Sequence, residues 1–207
     1  MVSSGYLNST NRLMKLLSAW YYKQIAIWAG IFGKQEIAAE FWVRAHTCQP
    51  ERAGLLVTAA NHLALASKNT ESEALLRKSL LIDETQAAAW FNLGFLVQKR
   101  NEHEEALNAF DKAIRYHPSL DRAHYGRALS LMALNRNEEA RAALQRTVEL
   151  QPMSPYGYYH LAVLQFKMGD EKAYRKTTRK LGSFEPKLAV QLQRETGIDA
   201  GVKDPFL

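Results

Sequence analysis

Only one cysteine, Cys48, occurs in 207 residues, so no internal disulfide can form and no set of thiolates can hold zinc. That usage fits a reducing compartment. Proline and glycine are sparse, at six and eleven, which excludes a sandwich or barrel turning every ten residues or so and favours long helices. No phosphate-cradling glycine loop, no Gly-x-Ser-x-Gly elbow and no His-Glu-x-x-His run is found. None of the six histidines has another three or four residues away, and Cys48 follows His46 with no further ligand nearby. The expectation is therefore a noncatalytic chain with no cofactor and no metal.

Clean apolar runs are also scarce. The longest candidate, residues 16–33 (LLSAWYYKQIAIWAGIFG), carries Lys23 and Gln24 near its middle, so it reads as a helix with an unusually apolar surface rather than a membrane span. The first ten residues are polar, with no basic cluster ahead of an apolar run, so no secretory signal is expected. The expected location is the cytoplasm, with association at a membrane surface as the alternative.

Hydrophobic residues make up 47% and charged residues 23%, a balance that excludes disorder for the bulk of the chain. The net charge of +6 is uneven: residues 1–52 hold six cations against three anions and residues 155–188 seven against three. This falls short of the basic stripe of a dedicated nucleic-acid binder, which disfavours that partner class. Part of the excess is a band on one helix face, Lys172, Arg175, Lys176, Arg179 and Lys180, read as solvated.

The informative pattern is a period. Pro50, Pro118, Pro152 and Pro186 fall on a 34-residue lattice, with Glu84 at the missing node. Periods of this size indicate stacked supersecondary units. Within the clearest unit, Trp90, Leu93, Gly94 and Val97 make one helical stripe and Ala106, Phe110 and Ala113 a second, separated by the polar turn 99–103. Pro118 ends the pair, because the residue before a proline is pushed out of helical conformation. A single hairpin cannot bury its face, so neighbours must stack.

Those residues, with Pro118, resemble the tetratricopeptide repeat signature, Val97 standing where a tyrosine is usual. The other units match with decay: Tyr22, Ala26, Gly33, Ala38 and Pro50 fit well, Ser72 and Ser79 replace alanines, and Tyr174 and Thr178 stand where alanine and a large apolar residue are expected, which implies looser packing there. The resemblance implies an all-α, right-handed superhelical solenoid of about five hairpins (19–52, 53–86, 87–120, 121–154 and 155–188). It is preceded by a partly helical extension at 1–18 and followed at 189–207 by the rest of a closing helix, Lys187 to Glu195, and a tail disordered beyond Thr196.

The resemblance also implies that first helices line a concave groove for a peptide or partner helix, with Asn61, Phe91, Asn92, Phe95, Arg122, Tyr125, Tyr156, Tyr159 and His160 lining it. Large aromatics there would be the anchors, with Asn92 and Arg122 fixing orientation. Some family members grip a chaperone carboxy terminus with two lysines, two asparagines and an arginine; Asn61, Asn92 and Arg122 fall on three of these places, but Val57 and Gly126 replace two cations. The expected role is a protein-interaction adaptor or assembly factor. A membrane-associated scaffold anchored through residues 16–33 and an RNA-associated repeat protein are the alternatives.

One feature breaks the pattern. Trp20, Ile27, Trp28, Ile31 and Phe32 surround the first helix with more apolar surface than one neighbour can cover. Self-association through this hairpin, peripheral membrane contact, or residues 10–17 folding back over it would each provide cover.

Overall fold

The computed structural model describes the backbone of residues 3–203 and the side chains of residues 11–203; expectations for positions 1–2 and 204–207 lie outside the described residues. Those residues form an all-α helical repeat fold of eleven helices: α1 (Ser3–Ile31), α2 (Gln35–Cys48), α3 (Gly54–Leu65), α4 (Asn69–Ile82), α5 (Ala87–Lys99), α6 (His103–Tyr116), α7 (Asp121–Ala133), α8 (Asn137–Leu150), α9 (Pro155–Lys167), α10 (Glu171–Gly182) and α11 (Pro186–Thr196). Two compact units divide at Leu96 and Val97, inside α5.

The turn inside each hairpin is the same device five times. Gly33, Ser67, Asn101, Asn135 and Gly169, spaced by 34 residues, all adopt positive φ, between 58° and 75°. Each is followed by a residue whose N–H returns to a carbonyl five positions back: Lys34 to Ala29, Lys68 to Leu63, Glu102 to Val97, Arg136 to Leu131 and Asp170 to Gln165, at 2.8–3.2 Å. This is the long bond of the Schellman motif, which satisfies carbonyls that a helix end would leave orphaned. The same residues then accept at their own carbonyls from Ala38, Ser72, Ala106, Ala140 and Tyr174, opening the second helix. Stop and start share one residue.

Between hairpins the chain extends. Gln49, Asp83, His117 and Gln151 all leave helical conformation, with φ from −131° to −148°. Three of them precede prolines, which disfavour helix in the preceding residue. Asp83 precedes Glu84 and reaches the same state differently: its carboxylate accepts from the Thr85 N–H at 2.9 Å and the Thr85 hydroxyl at 2.7 Å. Those bonds hold the Asp83 carboxyl below its ordinary range. A side-chain turn thus stands in for the missing proline. The node carbonyl keeps its partner too: Trp90 Nε1 donates to Glu84 O at 2.8 Å, as His124 Nε2 lies 3.0 Å from Pro118 O one period later.

In the first unit α1 packs on α2, α2 on α3 and α3 on α4. The seams are mostly small residues, with Ala19, Ala26, Ala38, Ala45, Ala59 and Ala60 buried beside Leu56 and Leu76. The serines that replace alanine are satisfied: Ser72 Oγ donates to Ala60 O at 2.7 Å and Ser79 Oγ to Ala53 O at 3.1 Å. Residues 10–17 do not fold back. With no Gly or Pro between Gly5 and Gly30, nothing interrupts the helix, and α1 runs unbroken to Ile31.

In the second unit, Leu107, Leu131, Leu144, Leu161 and Leu164 form one buried cluster across α6 to α9. A second gathers around Tyr174 with Leu181, Ala189 and Leu192. The looser packing expected at Tyr174 is not found. Its ring is fully buried and its hydroxyl lies 2.7 Å from Thr196 Oγ1, so α11 supplies the polar partner that a buried phenol needs. Through Lys203 the tail is not disordered either: Ala200 is buried, and Gln193 holds the Ala200 N–H at 2.8 Å and the Val202 carbonyl at 2.9 Å. Within the basic band, Arg179 donates to Ala200 O at 2.7 Å and Arg175 donates to Asp199 O. Part of that band fastens the tail instead of facing free solvent.

Two stability changes follow from this packing. Glu84→Pro should raise stability by about 0.4–1 kcal/mol by restricting the unfolded chain, read as a higher denaturant midpoint. Gly126→Ala should lower it by about 1–2 kcal/mol despite better helix propensity, because a Cβ there would stand 2.5 Å from Cζ of the fully buried Phe110.

Candidate functional site

The residues expected to line a groove fall into two groups, one in each unit. In the first unit, Asn61 is on α3 and Phe91, Asn92 and Phe95 are on α5. Asn92 Nδ2 donates to Asn61 Oδ1 at 2.6 Å. Each carboxamide has two N–H donors and a carbonyl acceptor, so the pair keeps polar capacity for a backbone while fixing its own orientation. Phe91 is half-buried and Phe95, one turn on, is 46% exposed.

In the second unit, Arg122 and Tyr125 lie on α7 and Tyr156, Tyr159 and His160 on α9. The His160 ring sits between two tyrosines, 5.7 Å from Tyr125 and 5.4 Å from Tyr159, the latter edge-on at 89°. Tyr159 donates its hydroxyl to Glu195 Oε2 at 3.0 Å, so α11 steadies this cluster. Tyr125 and Tyr159 also pack against the two buried clusters, whereas Tyr156 is 67% exposed. Arg122 is exposed at the start of α7.

Burial shapes the protonation of this cluster. It lowers the His160 pKa, with Lys167 adding to the effect, and raises that of Tyr125, with Tyr156 adding there. Tyr159 is raised by burial and by its bond to Glu195. The cluster is a set of rings and hydroxyls, with Arg122 at the start of α7 and Glu195 on α11 as its charged neighbours.

Three neighbouring positions do something other than line a groove. Val57 is buried, Gly126 is buried against Phe110, and Gln98 donates to Gly126 O at 2.8 Å and Ser130 Oγ at 2.7 Å. The two places where the chaperone clamp needs cations are thus packing positions. His160, read from sequence as a surface contact, is half-buried; the signal available was Tyr125, one position from its 34-residue equivalent. Trp20, Ile27, Trp28 and Ile31 on α1 and Phe32 just past its end are all exposed. No group of three or more His, Cys, Asp or Glu among the described residues is placed to hold a metal.

Comparison with known proteins agrees with this architecture. The Tetratricopeptide repeat family model matches residues 96–158 and 125–172. Residues 96–172 thus match tetratricopeptide repeats. A curated relative, the protein STIP1 homolog of Dictyostelium discoideum, is 27% identical over 123 residues, which are 58% of this chain and 22% of that protein. The chain spans about a fifth of the length of the curated relatives it matches. Among solved structures, PilF of Pseudomonas aeruginosa superposes with a TM-score of 0.74 at 17% identity, covering 88% of this chain and 86% of that one. YrrB, described as a tetratricopeptide repeat protein with an unusual peptide-binding site, gives 0.69 at 17% identity, covering 84% and 90%. These likenesses establish the repeat fold.

Burial of neutral imidazoles makes stability pH-dependent. His62, half-buried with Nδ1 2.5 Å from Gln35 Oε1, has its pKa lowered by burial as His160 does. A histidine depressed in the folded state binds protons more readily when unfolded, so stability should fall as pH drops below the ordinary value of 6.5. Denaturation series across pH 7 to about 5 should show this slope, and the pair His62→Gln and His160→Gln should flatten it.

Proposed function

We propose that the chain is a noncatalytic protein-interaction adaptor or assembly factor whose repeats take an extended peptide or a partner helix on the first-helix face. A tetratricopeptide repeat fold points to a role in protein–protein interaction; the peptide-binding reading is the finer step. The observation that carries it is the aromatic group Tyr125, Tyr156, Tyr159 and His160, with Tyr125 and Tyr159 packed against the buried clusters. Rigid aromatics on a supported surface are what binding energy concentrates on. The Asn61–Asn92 pair in the first unit offers amide groups for a peptide backbone. Absence of cations at Val57 and Gly126 argues against a doubly charged carboxylate terminus as the preferred end group.

Selection of peptides from a random display library on the full chain, followed by titration of the selected peptides, tests this reading. Tyr156→Ala should weaken binding by about 1–3 kcal/mol with unchanged helicity, since that ring is 67% exposed. Phe95→Ala tests the first unit in the same way. Selection of no peptide, or affinities indifferent to both substitutions, would remove the groove reading.

A further inference from the structure

From Leu13 to Ile31 the outer face of α1 is largely apolar, with Gln24 the polar residue at its middle. Leu13, Leu17, Trp20, Ile27, Trp28 and Ile31 are exposed, and at 100° per residue they fall on one stripe about 27 Å long. Trp28 and Phe32 stack at 6.2 Å and 24°, extending it at the C-terminal end. The opposite face, with Ala19, Ala26 and Ala29, is buried on the first unit. From Leu13 to Ile31 the helix is therefore largely apolar on both sides, and among the described residues only one side has a partner. Among the described residues no helix is long and apolar enough to cross a membrane.

Charge decides what covers the stripe. Residues 1–35 contain Arg12, Lys15, Lys23 and Lys34 and no Asp or Glu. The first carboxylates that follow are already engaged, Glu36 with Lys68 at 2.7 Å and Glu40 with Arg44 at 2.6 Å. A two-fold contact with a second copy sets a surface against itself and would bring these cations together with no acidic group in the segment to answer them. An anionic bilayer answers both features: it buries apolar side chains to a shallow depth, draws in Lys and Arg, and favours indole and phenol rings at the headgroup level.

We infer that α1 is a peripheral membrane-docking helix, lying flat on an anionic lipid surface through the Leu13 to Ile31 stripe with the rest of the first unit held above it. This inference stands apart from the groove reading, since it uses the far side of a different helix.

The full chain should co-sediment with vesicles of phosphatidylcholine containing about 30% phosphatidylserine and remain in solution with phosphatidylcholine alone, with tryptophan emission shifting to the blue on binding. Salt should reverse the binding. Trp28→Glu with Ile31→Glu should reduce retention at least tenfold, and Arg12→Glu several-fold; all three side chains are exposed, so circular dichroism should be unchanged. Retention on neither vesicle, or equal retention on both, would overturn the inference. So would a solution dimer that Trp28→Glu with Ile31→Glu dissociates while anionic vesicles leave the chain unbound.

Discussion

A single left-handed residue, repeated every 34 positions, is the constraint on which the rest of the structure depends. It reverses the chain after each first helix and lets the N–H of the following residue close on a carbonyl five positions back, and that following residue's carbonyl starts the next helix. Because the turn is the same each time, the small-residue stripes of successive helices arrive in equivalent positions and can interdigitate. Glycine meets this demand at no steric cost at 33 and 169, and asparagine, which tolerates the left-handed region, meets it at 101 and 135. Ser67 is the least suited of the five, and its hairpin is the one that also lacks the terminating proline. There the surrounding contacts, including Ser72 to Ala60 and Asp83 to Thr85, keep the geometry that sequence preference alone supports weakly.

Small residues at the seams have a second effect. Alanine contacts bring helix backbones close, so the large side chains are displaced toward the faces between and outside the seams. On α9 this places Tyr156, Tyr159 and His160 on the face that meets α7 and α11, and on α1 it leaves tryptophans and isoleucines pointing away from the unit. Both apolar surfaces discussed above follow from one packing rule, yet they differ in chemistry. The first is steadied by a hydrogen bond to an acid, Glu195; the second lies in a segment, residues 1–35, that holds cations and no acid.

The repeat was legible because its period is carried by residues with strong backbone consequences. Four prolines in one phase and the alternation of large and small apolar residues mark that period. What the sequence hid was decided by partners distant along the chain. Val57 and Gly126 sat at helical positions that suggested a groove, but only the facing Phe110 ring reveals Gly126 as a packing contact. Tyr174 looked too large for its place until Thr196 supplied a bond to its hydroxyl. The order of residues 197–203 could not be read from a stretch rich in glycine and polar groups, because it rests on Gln193, Arg179 and Arg175. The continuity of α1 was readable from the lack of any glycine or proline between Gly5 and Gly30.

The closing helix bears on a problem that every stack of like units faces. A hairpin that buries one side against its predecessor offers an equivalent, uncovered side to a successor, and nothing in the repeat itself says where addition ends. Here Ala189 and Leu192 of α11 occupy that side of the Tyr174 cluster, and the segment through Val202 is laid over Gly182. No further hairpin can dock there without displacing both. Growth of the chain into end-to-end filaments from this side is thereby blocked by the protein's own backbone, without recourse to repulsive charge.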